Sequence, residues 1–165
     1  MIIIYTDGSS KGNPGPGGWG AIVVYPEQGR GAGTVREIGG HAEYTTNNKM
    51  ELTACIKALE SLPIGVEATV YCDATYVVKG ITEWIHGWMQ KGWKTAQKKP
   101  VENKELWMDL YQASVDKKIR WTLVEGHAGV PANERCDVIA TTFADGETPN
   151  LYNGSKDENT IDLRT

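Results

Sequence analysis

At 165 residues, with 40% hydrophobic and 23% charged residues, the chain has the size and composition of one globular domain with a substantial core. No apolar run approaches transmembrane length, and the first residues lack the basic flank and cleavage site of a signal peptide. A net charge of −4 does not by itself suit a polyanion, so any nucleic-acid contact must come from uneven placement of charge. The three cysteines, Cys55, Cys72 and Cys136, have no close metal-ligand spacing and read as reduced, buried thiols of a cytoplasmic protein.

The chain opens on Met1-Ile2-Ile3-Ile4-Tyr5-Thr6-Asp7-Gly8, an apolar, β-branched run that stops at a carboxylate. A buried strand ending in Asp needs a reason, because an unpaired buried charge is costly. The glycine-rich stretch after it turns the chain, and residues 19–25 read as a second strand paired with the first. A third strand is expected around residues 34–38. The period then changes: Thr45-Thr46-Asn47-Asn48 precedes the stripe Leu52, Cys55, Ile56 and Leu59, whose i, i+3, i+4, i+7 spacing predicts a helix with one buried face. Glu51 sits at the edge of that stripe.

Residues 66–73 alternate as a fourth strand, with Val66, Ala68, Val70 and Cys72 on one face, and again end on a carboxylate, Asp73. A helix follows, with Val77, Ile81, Trp84, Ile85 and Trp88 along one side. Residues 89–104 hold Lys91, Lys94, Lys98, Lys99 and Lys104 against the single acid Glu102, a positive patch in an acidic chain. Residues 106–115 predict another helix, and Ile119, Trp121 and Leu123 alternate as a fifth strand. The last helix starts near Pro131 with Cys136, Ile139, Ala140 and Phe143 buried and Asp137 beside them. From Asp145 onward apolar periodicity is lost, and residues 145–165 read as an acidic, mobile tail that can be removed without loss of fold.

The pattern predicts an α/β domain: a five-stranded mixed sheet with helices on both faces. In such sheets sites gather at the carboxyl ends of central strands. Asp7 and Asp73 end two strands, while Glu51 and Asp137 lie on helices that pack against the sheet. Four converging carboxylates repel one another unless a cation joins them. Their hard oxygens suit magnesium, with manganese able to substitute. Two such ions ~4 Å apart can clamp a phosphodiester between the attacking water and the leaving oxygen.

At this point the residues closely resemble bacterial type 1 ribonuclease H. The matching segments are Thr6-Asp7-Gly8-Ser9, residues 12–20, 45–52, Cys72-Asp73, 80–86, Gly92-Trp93-Lys94-Thr95, and Gly126-His127-Ala128-Gly129 through Glu134-Arg135-Cys136-Asp137. They fall in the family's order and span residues 1–144, which are expected to form the ribonuclease H domain. The resemblance implies that Asp7, Glu51, Asp73 and Asp137 hold two magnesium ions and that His127, between glycines, assists proton transfer or product release. It implies hydrolysis of the RNA strand of an RNA–DNA hybrid, leaving 5′-phosphate and 3′-hydroxyl ends, by a monomer with no membrane partner.

Substrate contacts implied by the family fall on Asn13, Thr46, Asn47, Asn48 and Thr75, and on the basic protrusion with Trp88, Lys91, Trp93, Lys94, Lys98 and Lys99. Amides and hydroxyls can read minor-groove edges and the 2′-hydroxyl that separates RNA from DNA. Departures also stand out. Met89 and Gln90 replace basic residues, Ala74 replaces a usual Ser, and Thr75 stands where a Gln commonly contacts bases. These bear on affinity and sequence preference, not on the carboxylates. Trp84 and Trp107 are expected in the core. Two other classes share parts of the pattern: a phosphotransferase of the sugar-kinase or actin type, and a non-catalytic hybrid-binding module. The first needs a second domain for which 165 residues leave little room. The second would suit a chain lacking one of the four acids.

Overall fold

The computed structural model describes residues 1–27, 33–125 and 129–159. Strands β1 (Ile2–Ser10), β2 (Gly15–Tyr25) and β3 (Thr34–Thr45) form an antiparallel meander. β3 runs seven residues past the expected end at Ile38, because its second half lines up opposite the glycine-rich start of β2. After helix α1 (Asn47–Glu60), strand β4 (Glu67–Cys72) pairs in parallel with β1. Helices α2 (Thr75–Lys79), α3 (Ile85–Gln90) and α4 (Lys104–Ser114) lead to β5 (Lys118–Leu123), parallel to β4, and α5 (Pro131–Ala144) follows.

Alternation along β1 divides the core. Ile2 and Ile4 pack with Leu52, Cys55, Ile56 and Leu59 of α1, together with Leu110 and Trp107 of α4. Tyr5 packs on the other face with Ile22, Val35 and Cys136 of α5. Helices therefore cover both faces, as the sequence pattern requires. α5 lies unusually close to the sheet. A Cβ at Gly18 would fall 2.2 Å from the Ala140 carbonyl oxygen, and one at Gly20 would fall 2.7 Å from Ile139 Cγ2. The bare backbone of β2 thus seats the helix that bears Asp137.

Between α2 and α3 the helix widens into a π-helical turn, Gly80–Trp84. Such one-turn widenings insert a residue into a helix and shift the side chains beyond it. Its first residue, Gly80, has the indole of Trp107 against it, so close that a Cβ would sit 1.9 Å from the ring.

Among the described residues the sheet has six strands, not the expected five, in the order β5-β4-β1-β2-β3-β6. The additional strand, β6 (Asn153–Ser155), belongs to the segment read from sequence as a structureless tail, and it pairs with Thr34, Val35 and Arg36 of β3. What holds it is a buried carboxylate. Glu37, only 4% exposed, accepts Arg135 Nε at 2.9 Å and Arg135 Nη2 at 3.0 Å, and its Oε1 also accepts the Tyr152 backbone N–H at 2.8 Å. Arg135 Nη2 in turn donates to the Asn150 carbonyl at 2.7 Å, while the Glu37 N–H donates to the Tyr152 carbonyl. The Tyr152 hydroxyl closes back on the Ser155 carbonyl. A polar Asn-Gly-Ser strand has no alternation to betray it; its docking depends on an ion pair formed elsewhere.

Ending the chain after Thr148 strips Glu37 and Arg135 of these backbone partners. The truncated protein is expected to lose about 2–3 kcal/mol of stability through the unmade charge-assisted bonds. Calorimetry should show this as a fall of about 4–10 °C in Tm. An unchanged Tm would mean that the segment is held too weakly to matter.

Candidate active site

The site is built in the second half of β1, at Asp7, three residues before the strand stops at Ser10. Gly8 lies against the first turn of α1 so closely that a Cβ there would stand 2.4 Å from the Glu51 backbone nitrogen. This contact brings Glu51 beside Asp7. The parallel register ends with Thr6 opposite Cys72, so Asp7, where β1 runs on beside β2 alone, and Asp73, where β4 has stopped, stand side by side at the same end of the sheet. Antiparallel pairing sets Asp7 opposite Gly20, the position on which α5 rests through Ile139 and Cys136. Asp137 is on the same helix, one residue beyond Cys136. Strand register and two glycine contacts thus gather the four predicted carboxylates.

Their electrostatics reflect that crowding. Burial, then the charge of Asp73, pushes the Asp7 carboxyl up to about 7, with Asp137 adding to the effect; a hydrogen bond from Glu51 and one from the Gly8 N–H, 2.8 Å away, act in the opposite direction. Glu51 is raised well above its ordinary range by burial and by the neighbouring Cys72, Asp7 and Asp73. The two carboxyls thus act on each other directly, each shifted by its neighbour. Glu51 Oε2 is buried without a hydrogen-bond partner. Raised carboxyls and an orphaned buried oxygen are what remains where a cation's charge is wanting. The donor set is hard oxygen, which fits magnesium or manganese.

The fold also gathers a set that spacing along the chain does not suggest. Among the described residues, ligand atoms of Glu51, Cys72 and Asp73 lie within 4.8 Å of one another. Cys72 was read only as a core thiol on the inward face of β4, and it is indeed buried and free. The signal was its position directly before Asp73.

The amide-bearing residues lock the rim. Asn47 Oδ1 accepts both the Ser10 N–H at 2.7 Å and the Ser10 hydroxyl at 2.9 Å, while Asn13 Oδ1 accepts the Asn47 N–H at 3.0 Å. Thr46 caps α1 by accepting the Lys49 N–H at 3.2 Å. The end of β1, the following turn and the start of α1 are thereby fixed together. Asn13, Asn47 and Asn48 are exposed, and so is Thr75 at the start of α2. His127 lies outside the described residues.

The basic segment after α3 is a compact loop. Thr95 N–H donates to the Lys99 carbonyl at 2.7 Å, Val101 N–H to the Trp93 carbonyl at 3.1 Å, and Lys94 bridges to Pro100. Trp93 and Lys98 both have φ of 63°, a left-handed conformation that non-glycine residues adopt only when their surroundings enforce it. Lys91, Lys94, Lys98 and Lys99 are exposed, and none forms an ion pair among the described residues. Trp88 wedges between Trp107 and Trp93, with ring centroids 5.3 and 6.3 Å away. Trp107 is fully buried, but Trp84, expected in the core, is 39% exposed, since the helix carrying it widens at that turn. Met89 packs against the core, so only Gln90 of the two unusual positions faces solvent.

Comparison with known proteins gives one consistent result. A family model described as RNase H matches residues 1–145. A protein named Ribonuclease H from a Cyanothece strain is 53% identical over 150 residues, covering 90% of this chain and 92% of its own length. Another Ribonuclease H, from Thermosynechococcus vestitus, is 50% identical over 147 residues, with 87% and 89% covered. Among solved structures, that of LC9-RNase H1, described as a type 1 RNase H with the type 2 active-site motif, superposes with a TM-score of 0.80. It shares 34% identity and covers 92% of this chain and 76% of its own.

The raised Asp7 carboxyl gives a pH-dependent stability in the absence of divalent ions. Its folded value of about 7 exceeds the ordinary 3.8, so between those limits the folded state holds more protons than the unfolded one. Stability must then fall as pH rises through that window. Asp7→Asn removes the cost and is expected to stabilise the chelated protein at pH 8 by on the order of 1–3 kcal/mol, with little effect at pH 4. Urea unfolding at the two pH values checks this, and an equal effect at both would overturn it.

Proposed function

The chain belongs to the ribonuclease H family, and from this premise we propose that it cleaves the RNA strand of RNA–DNA hybrids by two-metal-ion hydrolysis, leaving 5′-phosphate and 3′-hydroxyl ends. The observation that carries the reading is the convergence of Asp7, Glu51, Asp73 and Asp137, with raised carboxyls and an orphaned Glu51 oxygen. Nuclease activity on hybrids follows from the family; the finer chemistry is our reading of the site.

Asp7, Glu51, Asp73 and Asp137 would hold the ions, which when bound supply a water nucleophile at neutral pH and neutralise charge on the transferred phosphate. The chain's own contribution is geometric. β1, β4, α1 and α5 fix four oxygen donors on regular elements, so the coordinating groups need no reordering when substrate arrives. The Gly8 N–H holds one Asp7 oxygen at 2.8 Å and thereby orients the carboxylate. Outside this centre, Asn13 and Asn47 have their carbonyl oxygens engaged within the protein, which leaves amide N–H donors for acceptors in the hybrid's minor groove. Thr46, Asn48 and Thr75 would contribute on the same rim. His127, by resemblance, would carry a proton to or from the reacting phosphate or help product leave.

Lys91, Lys94, Lys98 and Lys99 would meet the phosphates of the DNA strand. Their loop is closed by its own backbone bonds, and Trp88 and Trp93 brace it. Because these lysines have no counter-ion among the described residues, each is available to replace condensed cations on a nucleic acid.

Asp7→Asn or Asp73→Asn should reduce cleavage of a labelled hybrid to near background while hybrid binding survives, and excess chelator should do the same to the unaltered protein. Full activity in either variant, or in chelator, would sink the two-metal reading. His127→Ala should slow turnover, by roughly 10²–10⁴-fold if the side chain acts as a general acid or base. Gln90→Lys should steepen the fall of log K with log salt by at most about 0.9. Met89→Lys should instead cost stability, since Met89 packs inward. Binding isotherms over a salt series, paired with melting curves, separate these two outcomes.

A further inference from the structure

Below the carboxylates lies a chemical group that hard-ion catalysis does not use. Cys72 is fully buried, yet its Sγ belongs to the tight set with Glu51 and Asp73, all within 4.8 Å. The Ala74 backbone N–H donates to that sulfur at 3.4 Å, which fixes where the Cys72 side chain points. Directly alongside, Glu51 presents an oxygen that is buried and has no hydrogen-bond partner. A soft sulfur and two carboxylates, one of them with an unsatisfied oxygen, make up a donor set unlike that of the hard-ion centre.

We infer that Glu51, Cys72 and Asp73 form a binding site for a thiophilic divalent ion of the zinc class. Tetrahedral zinc, with bonds of about 2.0–2.3 Å, separates its ligand atoms by about 3.5 Å, so the set must close by only about an ångström. Binding breaks the S–H bond of Cys72, the sulfur's electron pair forms the metal–sulfur bond, and the proton leaves to solvent. Thiolate selects zinc, cadmium or cobalt over magnesium, which has little affinity for sulfur. An ion seated on Cys72 draws Glu51 and Asp73 toward the sulfur and away from Asp7 and Asp137, so occupancy weakens the hard-ion centre. The site would therefore inhibit, a consequence that rests on the proposed hydrolysis, whereas the binding itself does not.

The test uses the full chain, stripped with chelator and titrated with cobalt(II), whose bond to a thiolate produces near-ultraviolet charge-transfer absorption. The absorption should appear in the unaltered protein, vanish in Cys72→Ala, weaken in Glu51→Gln, and persist in Cys55→Ala, the neighbouring thiol. Circular dichroism establishes that each variant is folded; should Cys72→Ala fail to fold, Glu51→Gln decides. No absorption in the unaltered protein, undiminished absorption in Cys72→Ala or Glu51→Gln, or its loss in Cys55→Ala would overturn the ligand set. In a second arm zinc is titrated into magnesium-supported hybrid cleavage, each protein being referred to its own zinc-free rate. Half-inhibition of Cys72→Ala should need at least about tenfold more zinc, a loss comparable to that of perturbing a metal site's supporting shell. Equal sensitivity of the two proteins would overturn the inhibitory role. Absence of any magnesium-supported cleavage would instead overturn the proposed function, leaving the spectroscopic result to stand on its own.

Discussion

Crowding negative charge at the end of a buried strand is the constraint around which this molecule is arranged. Asp7 is 6% exposed and sits beside Asp73 and Glu51, a combination that no isolated strand end would sustain. Part of the repulsion is relieved locally, by the Gly8 N–H that donates to Asp7. The remainder must be withstood by the rest of the fold. Two hydrophobic layers, one on each face of β1, supply that rigidity, with Leu52, Cys55 and Trp107 on one side and Ile22, Val35 and Cys136 on the other. Packing at near-crystalline density makes such layers resistant to the outward displacement that charge repulsion favours.

The same constraint explains why glycine stands where it does. At Gly8 and at Gly18 and Gly20 the neighbouring helices approach the strands more closely than any side chain would permit. Were those helices held off at an ordinary distance, their acids would sit farther from Asp7 and the charges would no longer act on one another. Close backbone approach and clustered charge are thus two views of one design: the first makes the second possible.

Much of this was legible in the residues. The apolar run into Asp7, the alternation into Asp73 and the helical stripes flanked by Glu51 and Asp137 marked four carboxylates that the fold brings near one another, because strand alternation and helical period are local; the expected strand end at Asp7 did not hold, since pairing with the glycine-rich start of β2 carries β1 on to Ser10. Legibility failed where the cause was distant. β6 has no apolar period, and it forms because Glu37 and Arg135, 98 positions apart, make a buried pair that also binds the backbone of residues 150 and 152. Trp84 seemed inward by a regular 3.6-residue count, but a π-helical turn shifts that count. Cys72 looked like core because it is core; its closeness to Glu51 comes from the joint register of β1, β4 and α1, which no spacing within one segment reveals.

The short strand contributed by the chain's end also bears on how molecules of this protein meet one another. An open sheet has two edges, and each offers unpaired N–H and C=O groups on which another chain can build. At one edge β5 carries the exposed cations Lys118 and Arg120, a charged border that discourages a second copy from pairing there. Over part of the other edge, β6 occupies the hydrogen-bonding groups of Thr34, Val35 and Arg36. Asn-Gly-Ser is a poor template in its own right, having no large apolar side chain to bury against a newcomer. The tail therefore ends the sheet as well as extending it, leaving a three-residue polar strand as the border beside Thr34, Val35 and Arg36.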